Sequence, residues 1–411
     1  MANSSDLIIN EGYPKNKDYF SGGSGSSIFL DKKKFIDLSF CNGTLLLGHN
    51  SKIFQSSLSN IAKQNLSVMA TPNTQAKQFS KIIKRVIPFG SKFVFCNTGT
   101  EAITKSLRIC RAISKKKLII SVSGSWHGSV DNLLFIPDKN LKPLPLSAGL
   151  SDYNKKNIKF IPYNDINLSE KIIRRFKKNI SCIVVEPIQG CLPMEEVKSY
   201  LKFLRKISKR FKIPLIFDEL ITGLRTEGGT LQDYFKIKPD ISTFGKCFGG
   251  GLPLGIISIS REIFKKMNKN QRKVFFGGTF SGNSLSCYVG MKTTEYIVKN
   301  KKKIFSKLEK VSSHFQEQLN IFFNKQNIKA KVYRFKSLLR IVYTDQNVVN
   351  RTQRDFFETK NLERINNLRN HLRKNKIYYP KNGLIFFSDQ TSLKEVNKVI
   401  NIIKTGFLKK F

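Results

Sequence analysis

Acidic residues are scarce in this chain: 29 Asp and Glu stand against 72 Lys and Arg, a formal net charge of +43. Such a surplus ordinarily points to nucleic acid or an anionic membrane surface, because neutralising phosphates drives that binding. Here the cations run from Lys15 to Lys410 in twos and threes, as in Lys32-Lys33-Lys34, Lys115-Lys116-Lys117 and Lys301-Lys302-Lys303, among abundant Asn, Ile and Phe. Charge spread in this way focuses no field, so it reads as compositional drift on a solvated surface, and no nucleic-acid partner is expected. Histidine is scarcer still: His49, His127, His314 and His371 are the only four, and none pairs with Cys or another His at a metal-ligand spacing. That argues against a zinc centre, and no metal site is expected. The seven cysteines are odd in number and form no C-x-x-C pair, which argues against a disulfide framework and for a reducing compartment. No apolar run approaches the length that spans a bilayer, so no membrane partner is expected. The opening "MANSSDLIINEGYPKNKDYF" carries neither an unbroken apolar stretch nor an Arg-rich, acid-free amphipathic pattern, and no targeting signal is predicted. The expected location is the cytoplasm.

What the chain does have is length and order. Its 411 residues, 40% hydrophobic and 25% charged, suit a soluble fold of about two domains. Short β-branched and aromatic runs alternate with helical patterns, which predicts α/β architecture with a mostly parallel central sheet. Strand candidates are "KFVFCN" ending at Asn97, "LIISVSG" at Gly124, "SCIVVEP" at Pro187, "IPLIFDE" at Glu219 and "ISTFGK" at Lys246. Between them, Ile103, Leu107 and Cys110 share one helical face, and Tyr200, Leu201, Leu204 and Ile207 share another. Past residue 300 the texture changes to Lys-rich amphipathic helices with a few strands such as "LLRIVYT". This predicts a large domain over residues 56–300 and a small domain over 301–411. The hairpin pattern "SSIFLDKKKFIDLS" in residues 1–55 would join the small domain.

In an open parallel sheet, ligands bind beyond the carboxyl ends of the strands. Those ends carry Asn97-Thr98-Gly99-Thr100, Gly124-Ser125-Trp126-His127-Gly128, Glu186-Pro187, Asp218-Glu219 and Lys246. Lys246 sits in "PDISTFGKCFGGGLPLG", an apolar, glycine-rich run. A buried lysine loses basicity and its amine becomes a nucleophile toward carbonyls. A carboxylate on a neighbouring strand end would neutralise a cationic ring, so Lys246 and Asp218 suggest an aldehyde cofactor held as a Schiff base with Asp218 facing a pyridinium nitrogen. Taken alone, the two read more readily as a structural ion pair, and it is the surrounding motifs that reverse this. "NTGTEA" opens a helix whose first N–H groups, at Gly99 and Thr100, form an anion site, or simply an N-cap. Trp126, the single tryptophan, could stack on a flat heterocycle or pack within its loop. His127 alone reads as a satisfied buried histidine.

Together, "FCNTGTEA", "SWHGSVD", "VVEPIQG", "IFDELITGLR", "DISTFGKCFGGGLPLG" and "GGTFSGN" resemble, in order, the motifs of the class III pyridoxal-phosphate-dependent aminotransferases, in the branch that includes glutamate-1-semialdehyde aminomutase. "IPYND", "YFKIKPD" and "IYYPKNGLIFFS" fit that branch too, and the resemblance runs from about Ser21 to Ile403. It implies the fold-type-I transferase architecture: a large cofactor-binding domain, a small α+β domain built from both termini, and a homodimer. The cofactor it implies is pyridoxal 5'-phosphate. By the same resemblance, Lys246 matches the Schiff-base lysine and Asp218 the partner of the pyridine nitrogen. Gly99 and Thr100 match the phosphate-binding turn, and Thr279 a threonine that reaches the phosphate from the other subunit. Trp126 stands where the family usually has Tyr or Phe over the ring, followed by His127. Gln189 stands where relatives contact the cofactor's phenolic oxygen, and Glu186 orders that site. The implied reaction moves an amino group from a small-molecule amino donor to a carbonyl acceptor through the Lys246 Schiff base.

An aminomutase uses the same groups to move an amine within one molecule. The authentic aminomutases resemble one another in a Ser-Pro-Val-Arg stretch whose arginine receives the substrate carboxylate, whereas the matching region here, "FSGGSGSSIFL", has no arginine. A bidentate arginine clamp is hard to replace with Ser or Gly, which favours the aminotransferase. Arg340, Arg351 and Arg354 are the alternative anchors for a substrate acid, against the plainer expectation that each is solvated surface charge. A different class of function, a degenerate scaffold that binds polyanions, is motivated by the charge and opposed by the intact Lys246, Asp218 and Thr279.

Overall fold

The structure, a computed structural model, describes residues 19–30, 32–64, 66–67 and 71–409. The stretch read for a targeting pattern falls largely outside them, in residues 1–18, and so does Lys410.

The central sheet has seven strands. From one edge to the other they are Lys92–Cys96, Gly255–Ile259, Ile241–Gly245, Leu215–Asp218, Ile180–Val185, Leu118–Val122 and Ile158–Ile161. All pair in parallel except Gly255–Ile259, which runs antiparallel to both neighbours. Every residue of Ile180–Val185 and Leu118–Val122 is buried, as expected of strands covered on both faces. Alternation divides them: Cys182 and Val184 face one layer with Ile103, Leu107 and Cys110 of the Gly99–Ser114 helix. Ile183 and Val185 face the other, with Tyr200, Leu201, Leu204 and Ile207 of the Lys198–Arg210 helix. The two predicted helical faces are thus the two that cover the sheet.

The strand-end residues that sequence placed inside strands lie one or two positions beyond the pairing. Gly124 has φ +93° and Lys246 φ +45°, and both turn the chain away from the ladder. The Gly255–Ile259 strand was not among the predicted ones. It follows the glycine-rich turn after Lys246 directly, so it can only run back along its neighbour.

The chain beyond residue 300 forms a long helix, Lys301–Lys325, and a three-stranded antiparallel sheet of Lys331–Phe335, Leu338–Val342 and Leu384–Phe386. The expected N-terminal hairpin forms from Ser27–Leu30 and Lys33–Asp37. It pairs in parallel with Ile377–Tyr378, setting Ile36 opposite Ile377. The two ends of the chain are therefore joined in one sheet.

Candidate active site

Because the strands other than Gly255–Ile259 are parallel, their carboxyl ends share one edge of the sheet. Lys246 emerges there, partly buried. A Cβ at the preceding Gly245 would lie 2.7 Å from the Leu254 carbonyl oxygen and 2.9 Å from Leu220 Cδ2, so only glycine lets the chain pass. The positive φ of Lys246 is a strained conformation for a residue with a side chain, of the kind held at working sites by their surroundings. Burial holds its amine below the ordinary lysine range, while the charges of Asp218 and Glu186 oppose that shift.

Lys246 and Asp218 do not form the structural ion pair that was the plain alternative. Among the described residues Lys246 has no ionic partner, and Asp218 is engaged by His127, whose Nδ1 lies 2.7 Å from Asp218 Oδ2. Asp218 Oδ1 accepts from Leu220 N at 3.1 Å and Thr243 Oγ1 at 3.3 Å. Both His127 and Asp218 are buried, yet His127 Nε2 has no partner within the described protein. The expectation of a satisfied buried histidine is therefore half met: one nitrogen fixes the carboxylate, and the other is buried without a partner among the described residues.

Glu186 supports the turn around them. Its Oε2 accepts from Trp126 N at 2.8 Å, which positions the backbone between Ser125 and His127. Burial, reinforced by nearby Asp218, pushes its pKa up to about 7. Trp126 itself is half exposed, with its indole outside the packed core. Gln189 is fully buried and its Nε2 donates to Ser123 O at 2.8 Å, with Ser125 Oγ at 3.3 Å. Its amide nitrogen thus braces the turn between the strand and Trp126.

The helix after Asn97 is capped by Thr98, whose Oγ1 accepts from Glu101 N at 3.0 Å. The N–H groups of Gly99 and Thr100 precede the helix's own ladder, and the macrodipole adds positive potential there. Thr100 Oγ1 accepts from Ser129 N at 3.2 Å, so this turn and the Trp126–Gly128 turn meet. Thr279 is exposed, between Phe275 and Phe280, which are also exposed.

Two groups here escaped the sequence reading as site residues. Glu219 is fully buried, accepts from Gln232 Nε2 at 3.1 Å, and is pushed up to about 7 by burial. Arg225 is a buried cation with no carboxylate partner among the described residues: it donates to Ile221 O at 2.7 Å, to Ser337 Oγ at 3.2 Å and to Gly43 O, and lies 4.8 Å over the Phe386 ring. Both stand in "IFDELITGLR", the segment that supplied Asp218, so that motif was the available signal. A correction concerns the arginines expected at the surface. Arg340 is buried and grips Glu358 through Nε at 2.8 Å and Nη2 at 2.7 Å, and Arg354 is buried against Cys191 O at 2.7 Å. Neither is solvated, because each satisfies polar groups inside the fold.

An amine with no ionic partner among the described residues, an N-terminal helix turn and a flat exposed indole at one sheet edge fit an aldehyde cofactor that also carries a phosphate. Fold and site together define a fold-type-I pyridoxal-phosphate-dependent transferase. More narrowly, the chain belongs to the class III aminotransferases: the family described as Aminotransferase class-III matches residues 23–361. Among curated relatives, the chain is 30% identical over 398 residues to glutamate-1-semialdehyde 2,1-aminomutase of Methanosphaera stadtmanae, covering 95% of this chain and 92% of the relative. It is 32% identical over 366 residues to the enzyme of that name from Methanocaldococcus jannaschii, covering 82% and 83%. Among solved structures, the fold matches an omega-transaminase from Sphaerobacter thermophilus with a TM-score of 0.88 at 19% identity, covering 96% and 92% of the chains. Pyridoxal 5'-phosphate is the cofactor of this family.

Proposed function

We propose that the protein transfers an amino group from a small-molecule donor to a carbonyl acceptor, with Lys246 and Asp218 as its working residues. The observation that carries this is Lys246: an amine at a strand end, without an ionic partner among the described residues, kept below the ordinary lysine range by burial.

The cofactor would be held by Lys246 through its amine, by Gly99 and Thr100 at the phosphate, and by Asp218, His127, Trp126, Glu186 and Gln189 around the ring. When bound, it supplies an aldehyde that an amine can join and a ring that draws electrons from the carbon beside that amine. Asp218 places negative charge where a ring nitrogen must keep its proton, and His127 Nδ1 and Leu220 N hold that carboxylate in place. As a neutral amine, Lys246 would take a proton at Nζ from the donor's carbon and would deliver it from the same atom to the cofactor carbon that bears the nitrogen. Glu186 fixes Trp126 N, and thereby the turn that carries His127. In the first half-reaction water would supply the oxygen with which the donor leaves as a carbonyl compound, its nitrogen staying on the cofactor; in the second the acceptor would take that nitrogen and leave as an amine, returning water. A screen of amine donors and carbonyl acceptors followed through the cofactor's visible spectrum tests this. Bleaching by a donor and recovery with an acceptor are expected, and a spectrum unmoved by every amine would count against it.

The second reading is a 2,1-aminomutase, supported by the names of the relatives at 30% and 32% identity. The absence of an arginine from Phe20–Leu30 supports the transferase instead. A product whose nitrogen never exchanges with added amine would decide for the mutase.

We also propose a homodimer in which the partner subunit's Thr279 completes the phosphate site, supported by the exposure of Phe275, Thr279 and Phe280. The division into a large domain, residues 56–300, and a small one from 1–55 and 301–411 is supported by the Ile36–Ile377 pairing. A cytoplasmic location is supported by the seven free cysteines, Cys41 to Cys287.

A further inference from the structure

Arg225 carries a charge into the interior and meets no carboxylate there. It is 1% exposed and forms no ion pair among the described residues. Two acids line the same cavity of about 630 Å³, but Glu309 is taken by Arg334 at 2.9 Å and Glu227 is exposed. Burial lowers the guanidinium from its ordinary range, yet a guanidinium keeps its charge at any pH the fold survives. A buried charge without a counter-ion is costly, and it acts strongly on other charges nearby because the interior screens little.

The groups that hold Arg225 also tie it to Lys246. Nε donates to Ile221 O at 2.7 Å in the turn after Asp218, Nη1 to Ser337 Oγ at 3.2 Å, and Nη2 to Gly43 O. The Phe386 ring lies 4.8 Å from the charge and fixes its plane. Gly43 O accepts a second bond, from Cys247 Sγ at 3.2 Å, and Cys247 directly follows Lys246. One carbonyl oxygen therefore joins the guanidinium to the turn that carries the amine. That turn is itself closed, since Gly250 N donates to Cys247 O at 3.2 Å.

Burial is the largest influence on the Lys246 amine and lowers it; Asp218, Glu186 and the Cys247 thiol favour its protonated form, and Arg225 opposes it. The two carboxylates have other tasks, Asp218 with His127 and Glu186 with Trp126 N, so neither can be dispensed with for the sake of the lysine. Among these groups Arg225 is the cation that counters them.

We propose that Arg225 is a positioning residue for Lys246: held on the carbonyl that also receives Cys247, its fixed charge disfavours a second cation at Nζ and keeps the amine ready to react; this rests on the aminotransferase reading of the site.

Trace acetic anhydride acylates neutral amines only, so its rate of labelling at Lys246 in the full chain freed of cofactor, read by peptide mass spectrometry, follows the neutral fraction across pH. Arg225→Met should slow that labelling about three- to tenfold at neutral pH, whereas Arg225→Lys, which keeps the charge and loses the planar fork, should stay near the wild-type rate. The loaded protein gives a second reading: the pH midpoint of its visible absorbance change should move by about half to one pH unit in Arg225→Met and hold in Arg225→Lys. Should Arg225→Met not fold, Arg225→Gln, whose amide can still donate to Gly43 O, carries the same comparison. Equal losses in the charged and neutral variants would show a purely structural arginine and overturn the proposal, as would labelling unchanged in Arg225→Met. A wild-type Lys246 labelled no faster than surface lysines would instead overturn the reading of Lys246 itself, so the two failures are separate results.

Discussion

His127 and Asp218, 91 residues apart in the chain, meet with Nδ1 2.7 Å from Oδ2 and both side chains buried. The contact sets the imidazole's orientation, because a carboxylate only accepts and Nδ1 must therefore donate. It also fixes the carboxylate, which is the prerequisite for an electrostatic role that costs no reorganisation during reaction.

Asp218→Asn should therefore still take up the cofactor but lose turnover by about 10²–10³-fold, the scale seen when one preorganised electrostatic partner is removed. His127→Gln should lose less, since it acts through Asp218. Turnover and cofactor absorbance measured on the same preparations check this. Near-normal activity of Asp218→Asn would mean that another acid serves the ring.

Lys246 gives the most direct chemical test. The loaded protein should be yellow, and borohydride should bleach it while fixing the cofactor to the peptide around Gly245-Lys246-Cys247. Other lysines are mostly hydrated and protonated near neutral pH and compete poorly. Lys246→Ala should keep phosphate-dependent binding but lose the reducible linkage and nearly all turnover. Label recovered chiefly on a different lysine would sink the site assignment.

Glu219 makes a prediction about stability and pH. Burial raises its pKa from 4.5 to about 7, so the folded state holds a proton that the unfolded chain releases. The associated stabilisation is fully present below pH 4.5 and is lost as pH rises toward 7, by an amount on the order of 3 kcal/mol. Glu219→Gln cannot ionise, so the stability difference between variant and wild type should change across that window and level off above it. Urea denaturation at pH 5 and pH 7.5 measures it, and a difference independent of pH would show that Glu219 is not raised.

Thr279 predicts quaternary structure. Sedimentation of the loaded protein should give a dimer, and Thr279→Ala should weaken cofactor retention without dissociating it. Full cofactor occupancy in a strict monomer would remove Thr279 from the site.

Much of this site was legible in the sequence because its signals are local. Strand periodicity, the glycine run after Lys246 and the Thr-Gly-Thr turn before a helix each lie within one element, and they placed Lys246, Asp218, Glu186, Gly99 and Thr100 at strand ends. The helical faces of Ile103 and Leu107 and of Leu201 and Leu204 followed from the same periodicity, and they are the faces buried on the sheet. What the sequence could not decide was which distant groups would become neighbours. The reversal of Gly255–Ile259, the choice of His127 over Lys246 as partner of Asp218, and the burial of Arg340 and Arg354 while Arg351 stays open all depend on packing between remote segments. Arg351 reaches Gly124 across 227 residues, and Arg225 joins Gly43 to Ser337 through the core. A charged side chain carries the same local signal whether it ends in water or in the interior, and only the surfaces that close over it decide which.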